Sequence, residues 1–376
     1  MKVKKHVKHT ELLKPMGGKF HQNEWSFLGA PCGWLKDFVH LTAKNLTGYR
    51  WAYIDANHHP SERGLSYEIS VTDQIGWHRI ETQSDHIDWD YRSIFNSASA
   101  VLVNGNHFEA EKQWVIIHPE KKDSLRRKLN RLTQVVGFIL AENENVVYDF
   151  LYEYNPEWRK LPVYTAHARE HFYKALGDRI KANLPQLNGL ILAGGKSKRM
   201  GMDKTQIRYH HNKTHIDFTA ELLQNVCKNV WLSVTDGTAS SSEFPVIEDL
   251  FKDLGPLGGI LSAFRYNPHS AWMTLATDLP LLNAGIIQEL IENRNPEKFA
   301  TSFYNPATGF PEPLFTIWEP RAYQRILYFM SLGYACPRKV LINSDIHMIE
   351  TSQHEALQNV NTPEERDKIL NILRNS

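Results

Sequence analysis

An apolar run that leads straight into a glycine-rich segment constrains the fold of this chain more than any other feature. Residues 188–193 have the apolar character of a buried strand, and Gly194 and Gly195 follow them directly. Glycine has no side chain, so backbone amides at these positions can approach phosphate oxygens closely. In α/β sheets, nucleotides bind at such strand ends. The sequence therefore predicts an α/β unit with a phosphate-binding edge in this half of the chain.

Four cations follow the two glycines within nine residues, namely Lys196, Lys198, Arg199 and Lys204. A triphosphate carries several negative charges, which must be neutralised before an anionic nucleophile can approach. The planar guanidinium of Arg199 can hold phosphate oxygens in a fork, whereas the lysines act as point charges. A solvated basic turn is the alternative interpretation, but the preceding strand favours a phosphate site.

Strand and helix patterns alternate from this loop to the C-terminus. The predicted elements are strands at residues 188–193, 229–234, 245–247 and 271–276, with helices at about 217–227 and after the glycine-rich residues 255–259. A last helix has a clear start signal, because Thr362 can cap it, Pro363 fits its first position and Glu365 completes a capping box. This alternation predicts a mostly parallel sheet.

The first half of the chain predicts a second α/β unit. Its apolar strands are predicted at residues 25–28, 49–54, 100–103, 113–117 and 135–140. Residues 29–36 occupy the position of a phosphate-binding loop, but Lys36 is displaced and Asp37 replaces a hydroxyl, so the P-loop pattern is degenerate. We predict a P-loop-like domain over residues 1–150, a helical connector over 151–186 and a second domain over 187–376.

Length and charge exclude several classes of protein. A chain of 376 residues fits two domains, and a net charge of +1 provides no field that would attract nucleic acid or a membrane. The sequence has no run of about 18 apolar residues, which is the length needed to span a bilayer. The basic N-terminus is not followed by an apolar stretch, so it is not expected to be a secretory signal. Cys32, Cys227 and Cys336 are widely spaced, which favours free thiols in a reducing cytoplasm. We therefore expect a cytoplasmic protein.

Histidines cluster near two predicted strand ends of the first domain, among them His58, His59 and His107. With Asp55 and His86 they could form a metal site. No helical pair of histidines four residues apart recurs, so exposed loop histidines are the interpretation we favour.

Residues 192–204 resemble the signature loop of the molybdenum cofactor guanylyltransferases, with every fixed position of the family pattern filled. Residues 246–259, 276–280 and 359–364 resemble three further family segments, in the same order. The resemblance covers residues 188–373. It implies a Rossmann-like nucleotidyltransferase fold and the transfer of GMP from GTP to molybdopterin, with release of pyrophosphate and formation of molybdopterin guanine dinucleotide.

The resemblance also implies roles for individual residues. It assigns nucleotide contacts to Leu192, Ala193, Gly194, Gly195, Lys204, Asp249 and Asp278, and catalytic roles to Lys204, Asp278 and Arg199. Asp278 would also bind Mg²⁺, and its position just after a buried strand agrees with this, since Mg²⁺ prefers one or two carboxylates with phosphate oxygens. Ser233 and Thr235 stand where the family often has an asparagine, so that nucleotide contact stays open. Residues 305–312, Arg338 and Lys339 are candidates for contacts with the pterin and the phosphate of the acceptor.

The expected partners are GTP, molybdopterin and other proteins of molybdenum cofactor biosynthesis or molybdoenzyme chaperones. The alternatives are a nucleotidyltransferase that uses CTP or a sugar 1-phosphate, and a non-catalytic scaffold that carries molybdopterin. The pair of glycines and Asp203-Lys204 resemble the guanine-specific rather than the cytosine-specific enzymes. Residues 23–140 loosely resemble the GTP-binding accessory protein of molybdopterin guanine dinucleotide synthesis, which would make the first domain a degenerate partner domain.

Overall fold

The computed structural model describes residues 18–56, 69–74, 77–82, 90–193, 209, 213–235, 243–360 and 362–375. The chain divides into two compact units, one that runs to Asn183 and one that begins at Leu184. Both are α/β units, as the sequence predicts. Within the described residues, no helix combines the length and apolar character needed to cross a bilayer.

Among the described residues, the first unit contains eight strands and five α-helices. The strands are β1 (Glu24–Leu28), β2 (Trp51–Ile54), β3 (Ile69–Gln74), β4 (Trp77–Thr82), β5 (Ala100–Asn104), β6 (Lys112–Ile117), β7 (Val135–Leu140) and β8 (Val163–Thr165). The helices are α1 (Cys32–Asn45), α2 (Tyr91–Ile94), α3 (Lys122–Arg127), α4 (Asp149–Tyr154) and α5 (Arg169–Ala182). Six strands form a parallel sheet in the order β2-β5-β1-β6-β7-β8, while β3 and β4 form a separate antiparallel pair.

The segment predicted as a connector contributes to the first unit instead. Strand β8 extends the parallel sheet beside β7, and α5 buries Phe172, Leu176 and Ile180 in the core of this unit. These three residues recur every fourth position, so they form one apolar stripe along the helix. Charged residues between them face solvent and dilute the linear pattern, which is why the segment lacks the apolar runs of a typical core element.

The second unit contains the remaining strands and helices. Its strands are β9 (Leu187–Leu192), β10 (Val230–Val234), β11 (Val246–Glu248), β12 (Ala271–Ala276), β13 (Ala300–Asn305), β14 (Phe310–Trp318) and β15 (His347–Ile349). Its helices are α6 (His215–Gln224), α7 (Pro256–Tyr266), α8 (Ala284–Glu292), α9 (Ala322–Ser331), α10 (Pro337–Ile342) and α11 (Pro363–Asn375). Apolar residues of the sheet and helices form two large core clusters.

The seven strands of the second unit form one mixed sheet in the order β11-β10-β9-β12-β14-β13-β15. Strands β9 to β12 are parallel, as predicted, whereas β14 runs antiparallel to both β12 and β13. Strand β9 is buried along almost its whole length, which explains its continuous apolar run. Because the carboxyl ends of parallel strands lie at the same edge, the residues that follow β9, β10, β11 and β12 meet there.

Candidate functional site

The end of β9 is tied to the neighbouring strand. Leu192 is buried, and the backbone N–H of Ala193 donates a hydrogen bond to the carbonyl of Ser233 at 3.0 Å. These two residues bring the chain to the carboxyl edge of the sheet. The residues predicted to follow in the phosphate-binding loop, Gly194, Gly195, Arg199 and Lys204, lie outside the described residues.

Ser233 and Asp249 form a buried pair at the same edge. The Ser233 hydroxyl donates a hydrogen bond of 2.6 Å to Oδ1 of Asp249, and the Asp249 backbone N–H donates to the carbonyl of Val234 at 2.9 Å. Burial raises the pKa of the Asp249 carboxyl above its ordinary value, and the Ser233 hydrogen bond opposes that rise. Ser233, which departs from the family pattern, thus orients Asp249 directly.

Helix α7 packs very closely against the loop that carries Asp249. A Cβ atom at Gly259 would lie 2.2 Å from the Ser233 hydroxyl, and one at Gly258 would lie 2.4 Å from the Phe251 carbonyl. The Ser262 hydroxyl accepts a hydrogen bond from the backbone N–H of Leu250 at 2.9 Å and donates to the carbonyl of Gly258 at 2.7 Å. The glycines of this segment therefore allow the helix to hold the acidic loop at the sheet edge.

Asp278 lies two residues beyond β12, at the centre of the sheet edge. Its backbone carbonyl accepts a hydrogen bond of 2.8 Å from Val360, so the C-terminal signature segment lies against it. The neighbouring Asn359 has a buried Oδ1 with no hydrogen-bond partner within the described part of the chain. Sequence reasoning recognised this segment but did not predict that it contacts the Asp278 strand end.

The C-terminal helix begins beside this contact. The backbone N–H of Thr362 donates to the Glu365 carboxylate at 3.1 Å, and the Glu365 N–H donates to the Thr362 hydroxyl at 3.2 Å. This confirms the predicted capping box. Val360 and Ile369 pack with Tyr209. Burial raises the pKa of Tyr209 to about 12; the Arg366 charge opposes this rise and the Asp278 charge adds to it.

Glu312 lies near Asp278 on the other side of β12. In the antiparallel register of β12 and β14, Leu275 pairs with Phe315. Asp278 lies three residues after Leu275, and Glu312 lies three residues before Phe315, so both are near the same end of this strand pair. Burial raises the pKa of Glu312 above its ordinary value, and the negative charge of Asp278 adds to that rise. Its carboxylate accepts a hydrogen bond from Asn305 at 3.0 Å and lies 3.9 Å from the Arg338 guanidinium.

Among the acceptor-contact candidates, Asn305, Glu312 and Arg338 are therefore brought together, whereas Lys339 is not. Lys339 is exposed, and its ammonium group lies over the ring of Tyr334, 5.5 Å from the ring centroid. Successive side chains on a helix are rotated by about 100° around its axis, so Lys339 does not follow Arg338 toward Glu312 although the two are neighbours in sequence. Adjacent residues on a helix do not share a face.

The first unit has polar residues at the carboxyl edge of its own parallel sheet. Asp55 accepts a hydrogen bond of 2.7 Å from the Asn104 amide, and the Cys32 sulfur lies 3.2 Å from Nε2 of His107. Within the described residues, no three histidine, cysteine or acidic side chains are grouped so that they could hold a metal ion. His58, His59 and His86 lie outside the described residues.

A family model and several relatives identify the class of the second unit. Residues 189–346 match the family described as the MobA-like NTP transferase domain. Together with the parallel sheet edge just described, this match defines the unit as a nucleotidyltransferase.

Two relatives show which family of nucleotidyltransferases the second unit resembles. A probable molybdenum cofactor guanylyltransferase from Carboxydothermus hydrogenoformans is 30% identical over 196 residues, which cover 50% of this chain and 98% of that protein. Another from Flavobacterium johnsoniae is 28% identical over 194 residues, covering 50% and 97%. The chain belongs to the molybdenum cofactor guanylyltransferase family.

Two further similarities complete the comparison. The molybdenum cofactor biosynthesis bifunctional protein of Synechocystis sp. is 34% identical over 197 residues, or 51% of this chain, and the chain spans only 56% of that relative. Among solved structures, molybdopterin-guanine dinucleotide biosynthesis protein A from Archaeoglobus fulgidus has 20% identity and a TM-score of 0.44, covering 50% of this chain and 100% of that one.

Proposed function

We propose that this protein transfers the guanylyl group of GTP to the terminal phosphate of molybdopterin. The products are molybdopterin guanine dinucleotide and pyrophosphate. The observation that carries the proposal is the convergence of Leu192, Asp249 and Asp278 at one sheet edge, on segments that follow the order of those in the guanylyltransferases. An edge of this kind, at the carboxyl ends of parallel strands, is the usual nucleotide site of an α/β sheet.

The nucleotide is assigned to the β9 side of this edge. Its proposed contacts are Leu192, Ala193, Gly194, Gly195, Lys204, Asp249 and Asp278. The described residues offer a divalent cation the carboxylate of Asp278 without a surrounding cluster of protein ligands. That donor set suits Mg²⁺, which binds through one or two carboxylates together with substrate phosphate oxygens. When bound, the ion would neutralise charge on the phosphates.

The reaction would proceed by attack of the acceptor phosphate on the α-phosphorus of GTP, in line with the departing pyrophosphate. The attacking oxygen is already anionic, so the protein needs no strong general base. Its task is to hold the two phosphates in line and to offset their charges. Arg199 and Lys204 would supply positive charge from the loop after β9, and Asp278 would lie between the donor and the acceptor.

Pyrophosphate release separates this function from its alternatives. The protein is incubated with Mg²⁺, with GTP or CTP, and with molybdopterin or a sugar 1-phosphate as the acceptor. We expect pyrophosphate only when GTP and molybdopterin are present together. Release with CTP or with a sugar 1-phosphate instead would reassign the substrate, and no release with any pair would leave the scaffold hypothesis in its place.

Replacing Asp278 by Asn tests the proposed metal contact. Asparagine keeps the shape of the side chain but removes the charge, so we expect turnover to fall by about a hundredfold or more, as for other groups that stabilise charge in the transition state. Asp345→Asn is the control, because this carboxylate pairs with Lys298 on the surface. Circular dichroism checks the folding of both variants. Undiminished turnover in a folded Asp278→Asn protein would remove the metal role.

A further inference from the structure

The backbone of Glu312 is held at a bulge in the sheet. The pairing of β13 with β14 shifts register between Ser302 and Tyr304. At this point the carbonyl of Glu312 accepts hydrogen bonds from the hydroxyls of Ser302 at 2.9 Å and Thr316 at 2.5 Å. Bulges redirect side chains and recur next to active sites. The strand irregularity and the two hydroxyls together fix the direction in which the Glu312 side chain points.

The carboxylate of Glu312 is held as firmly as its backbone. Oε2 accepts a hydrogen bond from the Asn305 amide at 3.0 Å, and Oε1 accepts one from the backbone N–H of Leu314 at 3.3 Å. The side chain is only 1% exposed. Burying a carboxylate costs several kcal/mol unless a cation and hydrogen bonds compensate for the lost water. Packing alone would favour an apolar residue at this position, so the buried carboxylate of Glu312 indicates a role other than packing.

Arg338 is the cation that compensates this charge. Its guanidinium lies 3.9 Å from Glu312, and its side chain is 33% exposed. The arginine thus reaches from a buried anchor to the accessible edge of the sheet. A guanidinium has five N–H donors in a fixed fork, so one contact with Glu312 leaves donors for a second anion. Phosphate oxygens match that fork well.

The order of strands separates this pair from the nucleotide loop. In the sheet, β9 lies on one side of β12, and β14, which carries Glu312, lies on the other. Asp278 follows β12 and is close enough to Glu312 to affect it electrostatically. The donor phosphates would approach Asp278 from the β9 side, which leaves the β14 side to the acceptor.

We propose that Glu312 is a positioning residue, which holds the Arg338 guanidinium beside the Asp278 end of β12 to receive the terminal phosphate of the acceptor. This inference rests on the proposed function and adds to it the side from which the acceptor binds. Glu312 itself touches neither substrate. Its negative charge keeps the arginine at the edge, where a phosphomonoester can form a paired contact with two parallel N–H groups.

Steady-state kinetics with GTP and molybdopterin test this assignment. We expect Glu312→Gln to raise the KM for molybdopterin about tenfold and to leave the KM for GTP unchanged. Arg338→Met should raise the molybdopterin KM at least as much. The double variant should be no worse than Arg338→Met, because Glu312 acts only through the arginine. Additive effects, or a rise confined to the KM for GTP, would overturn the inference.

Glu297→Gln is the matched control. Its carboxylate also lies 3.9 Å from an arginine, Arg321, but Glu297 precedes β13 at the opposite end of that strand from Asn305. We expect both KM values of this variant to match those of the wild type. Glu312→Asp repeats the main test if thermal melting shows that Glu312→Gln is not folded, since the shorter carboxylate retains the charge but withdraws from Arg338.

Direct binding separates this inference from the proposed function. Molybdopterin binding to the wild-type protein is measured by quenching of tryptophan fluorescence, alongside pyrophosphate release. A wild-type protein that neither binds molybdopterin nor releases pyrophosphate would reject both the function and the inference. Binding and turnover in the wild type, with an unchanged molybdopterin KM in folded Glu312→Gln and Arg338→Met, would reject the role of Glu312 alone.

Discussion

At the scale of single residues, the sheet edge is distinguished by carboxyl groups whose environment disfavours their charge. Burial is the largest influence on the pKa of both Asp249 and Glu312 and raises each above its ordinary value. Each carboxylate accepts a hydrogen bond from a fixed donor: Asp249 from the Ser233 hydroxyl and Glu312 from the Asn305 amide. Buried polar groups of this kind are costly, and they concentrate at functional sites.

Ser233→Ala tests how far one hydroxyl stabilises Asp249. The variant loses the 2.6 Å hydrogen bond and leaves a buried carboxylate less satisfied, so the free energy of unfolding should fall by about 1–3 kcal/mol near neutral pH. A raised folded-state pKa means that stability is favoured below the unfolded-state pKa and is lost as pH rises through the folded value. The variant should therefore lose less stability at acidic pH than at neutral pH.

Urea unfolding at the two pH values measures this difference. Ser331→Ala is the control, since that hydroxyl lies on the exposed end of α9 and donates to the Tyr328 carbonyl. Its effect should stay within about 0.5 kcal/mol at both pH values. A loss in Ser233→Ala that is equal at acidic and neutral pH would show that the ionised form of Asp249 is not the partner that matters.

At the scale of elements, close approach of α7 to β10 is what brings the acidic loop to the edge. Gly259→Ala would place a methyl group 2.2 Å from the Ser233 hydroxyl and 3.0 Å from Leu192. The helix or the strand must then shift, and such overpacking costs about 1–3 kcal/mol. We expect lower stability and lower turnover together, measured by urea unfolding and pyrophosphate release.

Gly177→Ala is the contrasting change in the other unit. An added Cβ there meets its nearest atom, the Tyr49 hydroxyl, at 3.7 Å, an ordinary contact distance. Because alanine favours the interior of a helix over glycine, the variant should gain up to about 1 kcal/mol. Equal behaviour of the two glycine variants would mean that helix propensity, not the approach of α7 to Ser233, decides both.

Some strands and helices can be predicted from the pattern of apolar residues in the sequence, and others cannot. Strands β9 to β12 are predicted well, since buried parallel strands are continuously apolar. The hairpin of β13 and β14 is missed, because β14 contains Pro311 and Pro313 and the buried Glu312, which break a strand pattern. Helix α5 is assigned to a connector by the sequence because its apolar residues are four positions apart. They form one stripe only when the segment is helical.

At the scale of the whole molecule, each unit has its own core, and a buried ion pair secures the start of the second. Arg294 donates to the Glu319 carboxylate at 2.7 and 2.9 Å and to the carbonyl of Pro185 at 2.9 Å. Glu319 is 1% exposed. The arginine therefore ties the chain entering β9 to the end of β14.

Arg294→Met should strongly destabilise the second unit. It leaves the Glu319 carboxylate buried without its cation, and breaking a buried pair in this way costs about 3–5 kcal/mol. Lys160→Met is the control, because Lys160 and Glu157 form an exposed pair, worth about 1 kcal/mol at most. Chemical denaturation followed by tryptophan fluorescence compares the two. If the free energy of unfolding falls no further in Arg294→Met than in the control, the Arg294–Glu319 pair does not stabilise the second unit.

The sequence by itself determines the α/β class and the family, and it predicts phosphate binding by residues 192–204, because these depend on local patterns and on short motifs. It also places Asp249 and Asp278 after strands, and parallel strand ends share an edge. Only the tertiary structure decides that Ser233 hydrogen-bonds to Asp249, that Val360 lies against Asp278 and that Glu312 pairs with Arg338. These contacts join residues far apart in the chain, and their geometry follows from sheet order, a bulge and the close approach of a helix, none of which has a local signature.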